Sequence, residues 1–213
     1  LEIGCAWGAK TVDVLAARSM FDGFVNQNGD EAKSMDRIMR RNRMVAEYAK
    51  ATKEELKYGS VYAAVSGTAG DARIRFYSPM CAAASWDNQK GAIDSGFVFE
   101  DLRKDESDIE WSPTHVNFYT DSEIWQLERK GAKWFATPYR HDFGKPLMVP
   151  LVWDATHDKP MGQSRLKEPI RRLIQGYVRT VANATIGLEF ATSPQKYLLG
   201  ITDEQYDALV DEK

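Results

Sequence analysis

The side chains most capable of chemistry are three histidines, and their neighbours predict neither a metal site nor a general base. His157 lies between Asp154 and Asp158, but no second His or Cys stands at the spacing that a metal ion needs. A solvated loop explains these three residues better. His141 precedes a Gly-Lys-Pro turn, and His115 begins a predicted strand.

Nucleophile and phosphate-binding motifs are equally scarce. No serine lies in a Gly-x-Ser-x-Gly elbow. The glycine-containing run 66–70 joins two predicted strands and lacks the Lys-Ser/Thr pair of a phosphate loop, and the pair Asp105-Glu106 lies in a charged, solvated run. We therefore predict no catalytic residue, no cofactor and no enzyme. The alternative is an α+β nucleic-acid-processing or nucleotide-binding enzyme domain, which would need a metal or phosphate constellation.

Basic residues gather in the predicted C-terminal helix. Its first half contains one acid, Glu168, and the following basic set: Arg165, Lys167, Arg171, Arg172 and Arg179. The simpler interpretation is a polar helix face balanced by neighbouring acids. The alternative is a face that meets acidic surfaces of a partner or, transiently, DNA phosphates. A second cluster at residues 36–43 is most simply a solvated helix face, with nucleic-acid contact as the lesser alternative.

The composition describes a folded protein that does not coat nucleic acid. The 213 residues are 43% hydrophobic and 28% charged, and the net charge of -3 lacks the basic excess that general nucleic-acid binding requires. Two cysteines are too few for a disulfide framework, so reduced thiols are expected. No apolar run approaches the roughly 18 residues of a membrane span, and no membrane contact is predicted.

Periodicity predicts helices in the N-terminal part of the chain. A helix is expected over residues 9–21, ended by Asp22-Gly23. A second helical region begins near Glu31 and stops at Gly59, with a break at Asn42, which would act as a cap.

From Ser60 the period changes from 3.6 to 2, which predicts strands. With no helices between them, they predict a mostly antiparallel sheet and the α+β class. Trp125, Trp134 and Trp153 are expected to pack in the sheet core. The charged run 100–110 is expected to be a loop or a sheet edge. The predicted strands cover residues 61–65, 73–77, 92–99, 116–119, 124–127, 133–135 and 147–153.

A long helix is predicted to follow, over residues 164–191. Ser164 would cap it, and Pro169 predicts either a kink or a start at that residue. About 28 residues would make a rod of roughly 42 Å. Gly176 and Gly187 indicate either tolerated irregularity or the close approach of a neighbouring helix. Ser193-Pro194 would force an extended exit from this helix.

Several motifs, in this order and spacing, resemble the portal proteins of tailed bacteriophages, of the type found in a Bacillus siphophage. Each motif alone is weak, but together they cover nearly the whole chain. They are Thr11–Arg18 with Asp22-Gly-Phe24, Asn42–Tyr62, Ser78-Pro79, Gly144–Leu151, Gly162-Gln-Ser-Arg165 and Glu189–Gly200.

The resemblance implies a structural subunit and not an enzyme. Such proteins form rings, twelve-fold in the particle, at the capsid vertex of the virion after assembly in the host cytoplasm. The ring passes double-stranded DNA without sequence-specific binding, and it contacts terminase, a head-completion or adaptor protein, and the major capsid or scaffolding protein. A different capsid-vertex component, structural or adaptor, is the third interpretation.

The resemblance also divides the chain by analogy. Residues 1–163 would be the wing, 164–191 a stem helix and 192–213 the start of the clip. The second stem helix, the channel loop and the crown would follow Lys213, so we expect this chain to be a fragment. The basic set from Arg165 to Arg179 then supplies the subunit-contact or channel-facing candidates, and contact with a neighbouring subunit's acids is our preferred hypothesis.

Overall fold

The computed structural model describes residues 5–25, 28, 33–68, 71–103, 112–193, 200, 202–204 and 206–207. Helices and antiparallel strands make an α+β fold, which confirms the predicted class. Contacts divide the chain into two compact units, residues 6–168 and residues 169–213 with 1–5. The elements, in chain order, are α1 Trp7–Ala16, α2 Lys33–Arg41, α3 Met44–Tyr58, β1 Ser60–Thr68, β2 Asp71–Tyr77, β3 Ala82–Asp87, β4 Ala92–Arg103, β5 Ser112–Tyr119, β6 Glu123–Lys130, β7 Lys133–Arg140, β8 Met148–Val152 and α4 Glu168–Thr192.

The N-terminal helices differ from prediction at their ends. α1 stops at Ala16, earlier than the predicted Asp22-Gly23, because its apolar face ends there and Met20 is exposed to solvent. The predicted break near Asn42 is confirmed, but Arg43 makes it by adopting a left-handed conformation with φ of 49°. The predicted stop at Gly59 is also confirmed, with φ of 99°, a value that favours glycine.

The strands form two antiparallel sheets. The first has the order β2-β1-β8 and the second the order β3-β4-β5-β6-β7. Every predicted strand is present, although β4 continues to Arg103, into the run that was expected to be a loop. β3 was not predicted, because its alanines have a low strand propensity. The rest of the charged run, 104–110, lies outside the described residues.

The core of residues 6–168 lies between the two sheets. Tyr62 from β1, Val98 from β4 and Met148 from β8 are buried in one cluster. α3 packs on the other side of β1, where Leu56 and Val61 are buried. A helix, a three-stranded sheet and a five-stranded sheet therefore form successive layers.

Polar groups also link the two sheets. The Tyr77 hydroxyl of β2 donates a short hydrogen bond to the Glu100 carboxylate of β4, and Arg75 lies 3.5 Å from the same carboxylate. Burial, followed by the charge of Glu100, raises the pKa of Tyr119 to about 12. Burial and the bond to Glu100 likewise raise the pKa of Tyr77. Because both pKa values are higher in the folded protein than in the unfolded chain, the protonated tyrosines favour the folded state. This contribution to the free energy of unfolding is fully present below the ordinary tyrosine pKa and is lost as the pH rises through the raised values.

Gly96 sets how closely the sheets approach each other. A Cβ atom at this position would lie 2.6 Å from the Met148 sulfur and 3.2 Å from the Ala83 carbonyl oxygen. We expect Gly96→Val to lower the free energy of unfolding by about 1–3 kcal/mol through overpacking. In a Met148→Ala background the same change should cost less, because the sulfur is gone. Urea unfolding of the four proteins checks this, and an equal cost in both backgrounds would contradict it.

Candidate assembly surfaces

The backbone that leads into α4 is bound to the end of α3 and the end of β8. We call residues 162–167 the approach segment; it belongs to the unit of residues 6–168. The Trp153 amide donates to the Gly59 carbonyl, and the Gln163 amide donates to the Trp153 carbonyl, both at 2.8 Å. The Arg165 amide donates to the Leu56 carbonyl at 2.9 Å. The chain path up to Lys167 is therefore fixed by main-chain hydrogen bonds.

Two glycines make this contact sterically feasible. Gly59 and Gly162 both adopt positive φ, of 99° and 77°. A Cβ atom on Gly59 would lie 2.6 Å from the Gln163 carbonyl carbon, and one on Gly162 would lie 2.6 Å from the Trp153 carbonyl oxygen and even closer to the Gly59 oxygen. Only glycine fits at either position, because the obstructing atoms are backbone and cannot rotate away.

Ser164 does not cap the C-terminal helix, contrary to prediction. Its hydroxyl donates to the Lys57 carbonyl at 2.6 Å and accepts from the Leu166 amide at 3.0 Å. It thus satisfies a carbonyl at the end of α3 that has no partner within that helix. α4 begins later, at Glu168, with Pro169 in its first turn, where proline is tolerated. Its 25 residues span about 37 Å.

Arg165 and Lys167, the first two basic candidates, make contacts inside their own unit. Arg165 Nε donates to the Thr11 carbonyl at 3.1 Å, and its guanidinium carbon lies 5.9 Å from the Trp153 ring centroid. Lys167 Nζ forms an ion pair with the Asp154 carboxylate. Both side chains position the approach segment. Their contact with a neighbouring subunit stays a prediction.

Arg171, Arg172 and Arg179, the other three candidates, lie on α4 and do not share one face. Arg172 and Arg179 are one heptad apart and diverge by only about 20° around the axis, whereas Arg171 is turned by about 100° from Arg172. All three side chains are exposed. Their proposed channel or subunit contacts stay predictions.

α4 has no buried residue along its length. Leu173 is 65% exposed and Leu188 is 64% exposed, although both are large apolar side chains. A Cβ atom on Gly176 or Gly187 would meet nothing within 4 Å. The close helix approach expected at these glycines is therefore not made by the described part of this chain.

A second exposed surface covers one side of the five-stranded sheet. Its side chains form two cross-strand rows. Phe118 pairs with Phe97 on one side and with Trp125 on the other, and Val116 pairs with Phe99 and with Leu127 in the same way. These six residues line an open, apolar concavity, which we call the apolar face. The opposite side of the same sheet contributes Val98 to the core.

The apolar face was missed in the sequence, although a signal for it exists. Phe97, Val98 and Phe99 are consecutive apolar residues, and such a run is typical of a strand covered on both sides. The prediction that Trp134 packs in the sheet core is wrong. Every residue of β7 is exposed, because the described residues cover neither side of this edge strand, and Trp134 is 45% exposed. Trp125 lines the apolar face, and Trp153 packs beside Leu56 just after β8.

The three histidines have different surroundings. His157 is exposed in a turn closed by Thr156 and Lys159. His115 lies 3.7 Å from Asp101 and 3.8 Å from Glu128. Both ring nitrogens of His141 are buried, with no hydrogen-bond partner among the described residues. Over the described ranges, no group of His, Cys, Asp and Glu could hold a metal ion. In that same part of the chain, no helix has the length and apolarity to cross a membrane.

Comparison with known families identifies the family of the protein that carries these surfaces. The sequence model of the phage portal proteins of the SPP1 Gp6-like type matches residues 2–182. The chain belongs to this family. No curated protein matches it. The family is structural and non-enzymatic, and its proteins belong to the capsid vertex of the virion, where they form rings that interact with capsid and terminase proteins.

The portal match spans most of the features described above. It contains α1 to α3, both sheets, the approach segment with Arg165 and Lys167, and the part of α4 that carries the other three basic candidates. The motif Glu189–Gly200 follows the matched range, and its residues 194–199 lie outside the described part. The backbone contact that Gly59 and Gly162 allow, which we call the glycine contact, and the apolar face therefore both lie within the range that matches the portal family.

The glycine contact can be tested against a matched glycine. Gly144 also has a positive φ, of 64°, but a Cβ atom there would meet nothing within 4 Å. We expect Gly144→Ala to cost about 1 kcal/mol of unfolding free energy, from backbone strain alone. Gly162→Ala should cost about 1–3 kcal/mol more, because its methyl group collides with backbone. Urea unfolding measures both, and equal losses would contradict the steric argument.

Proposed function

We propose that this chain is a subunit of the ring whose central channel passes DNA during packaging and ejection. The family match over residues 2–182 carries the proposal. Terminase, a head-completion or adaptor protein and the capsid or scaffolding protein would dock on the ring, which assembles in the host cytoplasm before it becomes part of the virion. Residues 1–163 would act as wing, 164–191 as stem and 192–213 as the start of the clip.

The charge of the chain supports a conduit. Each phosphate contact adds salt-sensitive affinity, so a channel that grips DNA tightly would slow its movement. A net charge of -3 avoids such a grip. Arg165 and Lys167 also make internal contacts, which leaves fewer cations to retain DNA.

The apolar face supports assembly with a second copy. A ring uses a heterologous interface, in which one surface of a subunit meets a different surface of the next. Phe118 at the centre of the apolar face is 37% exposed, and its cross-strand neighbours are apolar as well. Such a continuous apolar surface is typical of a protein contact. We place the neighbouring subunit of the ring on this face.

Imaging of variants tests ring assembly through this face. Wild-type full-length protein should form rings with a central hole in negative-stain images. Phe118→Asp should abolish the rings, because a carboxylate would be buried between apolar surfaces. Gln126→Asp is the control, because Gln126 is an exposed residue that points to the other side of the same sheet. Wild-type monomers would contradict the proposed function, and intact rings of Phe118→Asp would contradict the assignment of the face.

Charge reversal on α4 tests the role of its arginines. If the Arg172 and Arg179 face meets acids of the next subunit, the double variant Arg172→Glu/Arg179→Glu should lose rings. Arg171→Glu, on a different side of the helix, should affect assembly less. Size-exclusion chromatography and imaging measure assembly, and a packaging assay measures DNA uptake. Normal rings with altered packaging would instead place this face on the DNA.

A further inference from the structure

The outer edge of the three-stranded sheet is partly paired by a side chain. β2 is the edge strand, and its residues Ala72 and Ile74 direct their backbone groups away from β1. The Asn42 amide nitrogen donates to the Ala72 carbonyl, and the Asn42 amide oxygen accepts from the Ile74 amide, both at 2.9 Å. The Asn42 side chain thus makes the two bonds that a residue of an adjacent strand would make.

The next positions of this edge are open. Because backbone direction alternates along a strand, Phe76 points the same way as Ile74. The Ile74 carbonyl and the Phe76 amide and carbonyl therefore face outward, and no described residue pairs with them. A groove runs along this edge, lined by residues 73–77 of β2 and by Arg41, Asn42, Arg43 and Glu47 from the α2–α3 bend. We call it the edge groove.

Arginines flank the edge groove from both sides of the sheet. Arg41 and Arg43 come from the helices, and Arg73 and Arg75 come from β2 itself. Arg41 forms an ion pair with Asp71, and Arg75 lies 3.5 Å from Glu100. The single carboxylate on the helix side, Glu47, lies 2.8 Å from Lys50.

Two arginines of the edge groove differ from the others in lacking an ion pair with any described residue. Neither Arg43 nor Arg73 has an acidic partner among the described residues, and both are exposed to solvent. Charge on an edge strand prevents a sheet from pairing with an identical edge, because the like charges would be brought together. The same charge attracts a strand that carries acids. The edge therefore excludes the same edge of a second copy and favours an acidic partner.

The backbone pattern of the edge favours a polypeptide over a nucleic acid. A phosphate is best bound by converging donors, whereas this edge alternates donors and acceptors, and Glu47 lies in the groove. An extended peptide presents the same alternation and can continue the pairing that Asn42 begins. Arg43 and Arg73 would then reach acidic side chains of that peptide.

We propose that the edge groove binds an extended acidic segment of a partner protein, which adds a fourth strand to the sheet beside β2. Main-chain hydrogen bonds to Ile74 and Phe76 supply the pairing, and Arg43 and Arg73 select the acidic side chains. This surface is separate from the apolar face on the five-stranded sheet. It does not depend on whether the chain forms rings.

A peptide of alternating Glu and Thr, labelled with fluorescein, tests the proposal by fluorescence anisotropy on the full-length protein. We expect saturable binding that weakens as salt is added. A peptide of the same sequence, methylated on alternate backbone nitrogens, keeps the charge but loses strand pairing, so it should bind at least tenfold more weakly. Equal binding of the methylated peptide, or no binding of either, would overturn the proposal.

Protein variants test the residues. Arg43→Asn/Arg73→Gln removes both of these arginine charges, and asparagine tolerates the left-handed conformation of residue 43. It should weaken peptide binding at least tenfold, whereas Lys133→Gln/Lys145→Gln, with the same loss of charge at two exposed residues that do not line the groove, should not. Thermal melting verifies that each variant is folded. If a variant does not fold, the comparison of the methylated and unmethylated peptides on the wild-type protein still tests the proposal. Tighter binding of a single-stranded DNA oligonucleotide of equal charge would overturn the peptide assignment.

Discussion

The backbone contact between Gly59 and Gly162 is the constraint on which the rest of the unit 6–168 depends. α3 ends with carbonyl groups that need partners outside the helix. Those partners come from residues more than a hundred positions later, since the Arg165 amide bonds Leu56 and the Ser164 hydroxyl bonds Lys57. The end of α3, the end of β8 and the approach segment thereby form one junction. Without a Cβ atom on either glycine, the three chain segments can approach closely enough to share these bonds.

The two sheets meet solvent in different ways, and each way has a physical consequence. The five-stranded sheet exposes the aromatic rows around Phe118, which water solvates poorly, so a protein partner lowers the free energy by covering them. The three-stranded sheet exposes a backbone edge at Ile74 and Phe76 and surrounds it with charge. Charge keeps that edge soluble while it is open. One surface therefore favours permanent assembly, and the other suits a partner that is chosen by its charge.

Local chemistry made the strands and their ends predictable, whereas long-range contacts did not leave a readable pattern. Gly59 acts within a few residues, and the structure has the predicted helix stop in place. Ser164 looked like a helix cap because serine is a good one, but its partner Lys57 is 107 positions away. Asn42 likewise bonds β2 instead of capping α3. The family resemblance, which is built from ordered motifs, predicted the portal family correctly.

The basic set shows why sequence proximity is a weak guide to a charged surface. Arg165 lies only six positions before Arg171, yet its guanidinium is directed at the Thr11 carbonyl and the Trp153 ring inside its own unit. Lys167 is paired with Asp154. On α4 the helical repeat separates Arg171 from Arg172 by about 100°. A stretch that reads as one cationic patch thus becomes two structural anchors and cations distributed around a helix. Charges dispersed in this way bind a polyanion more weakly than a patch of the same size, because fewer of them reach the phosphates at once. Such weak binding agrees with the proposed role as a DNA conduit.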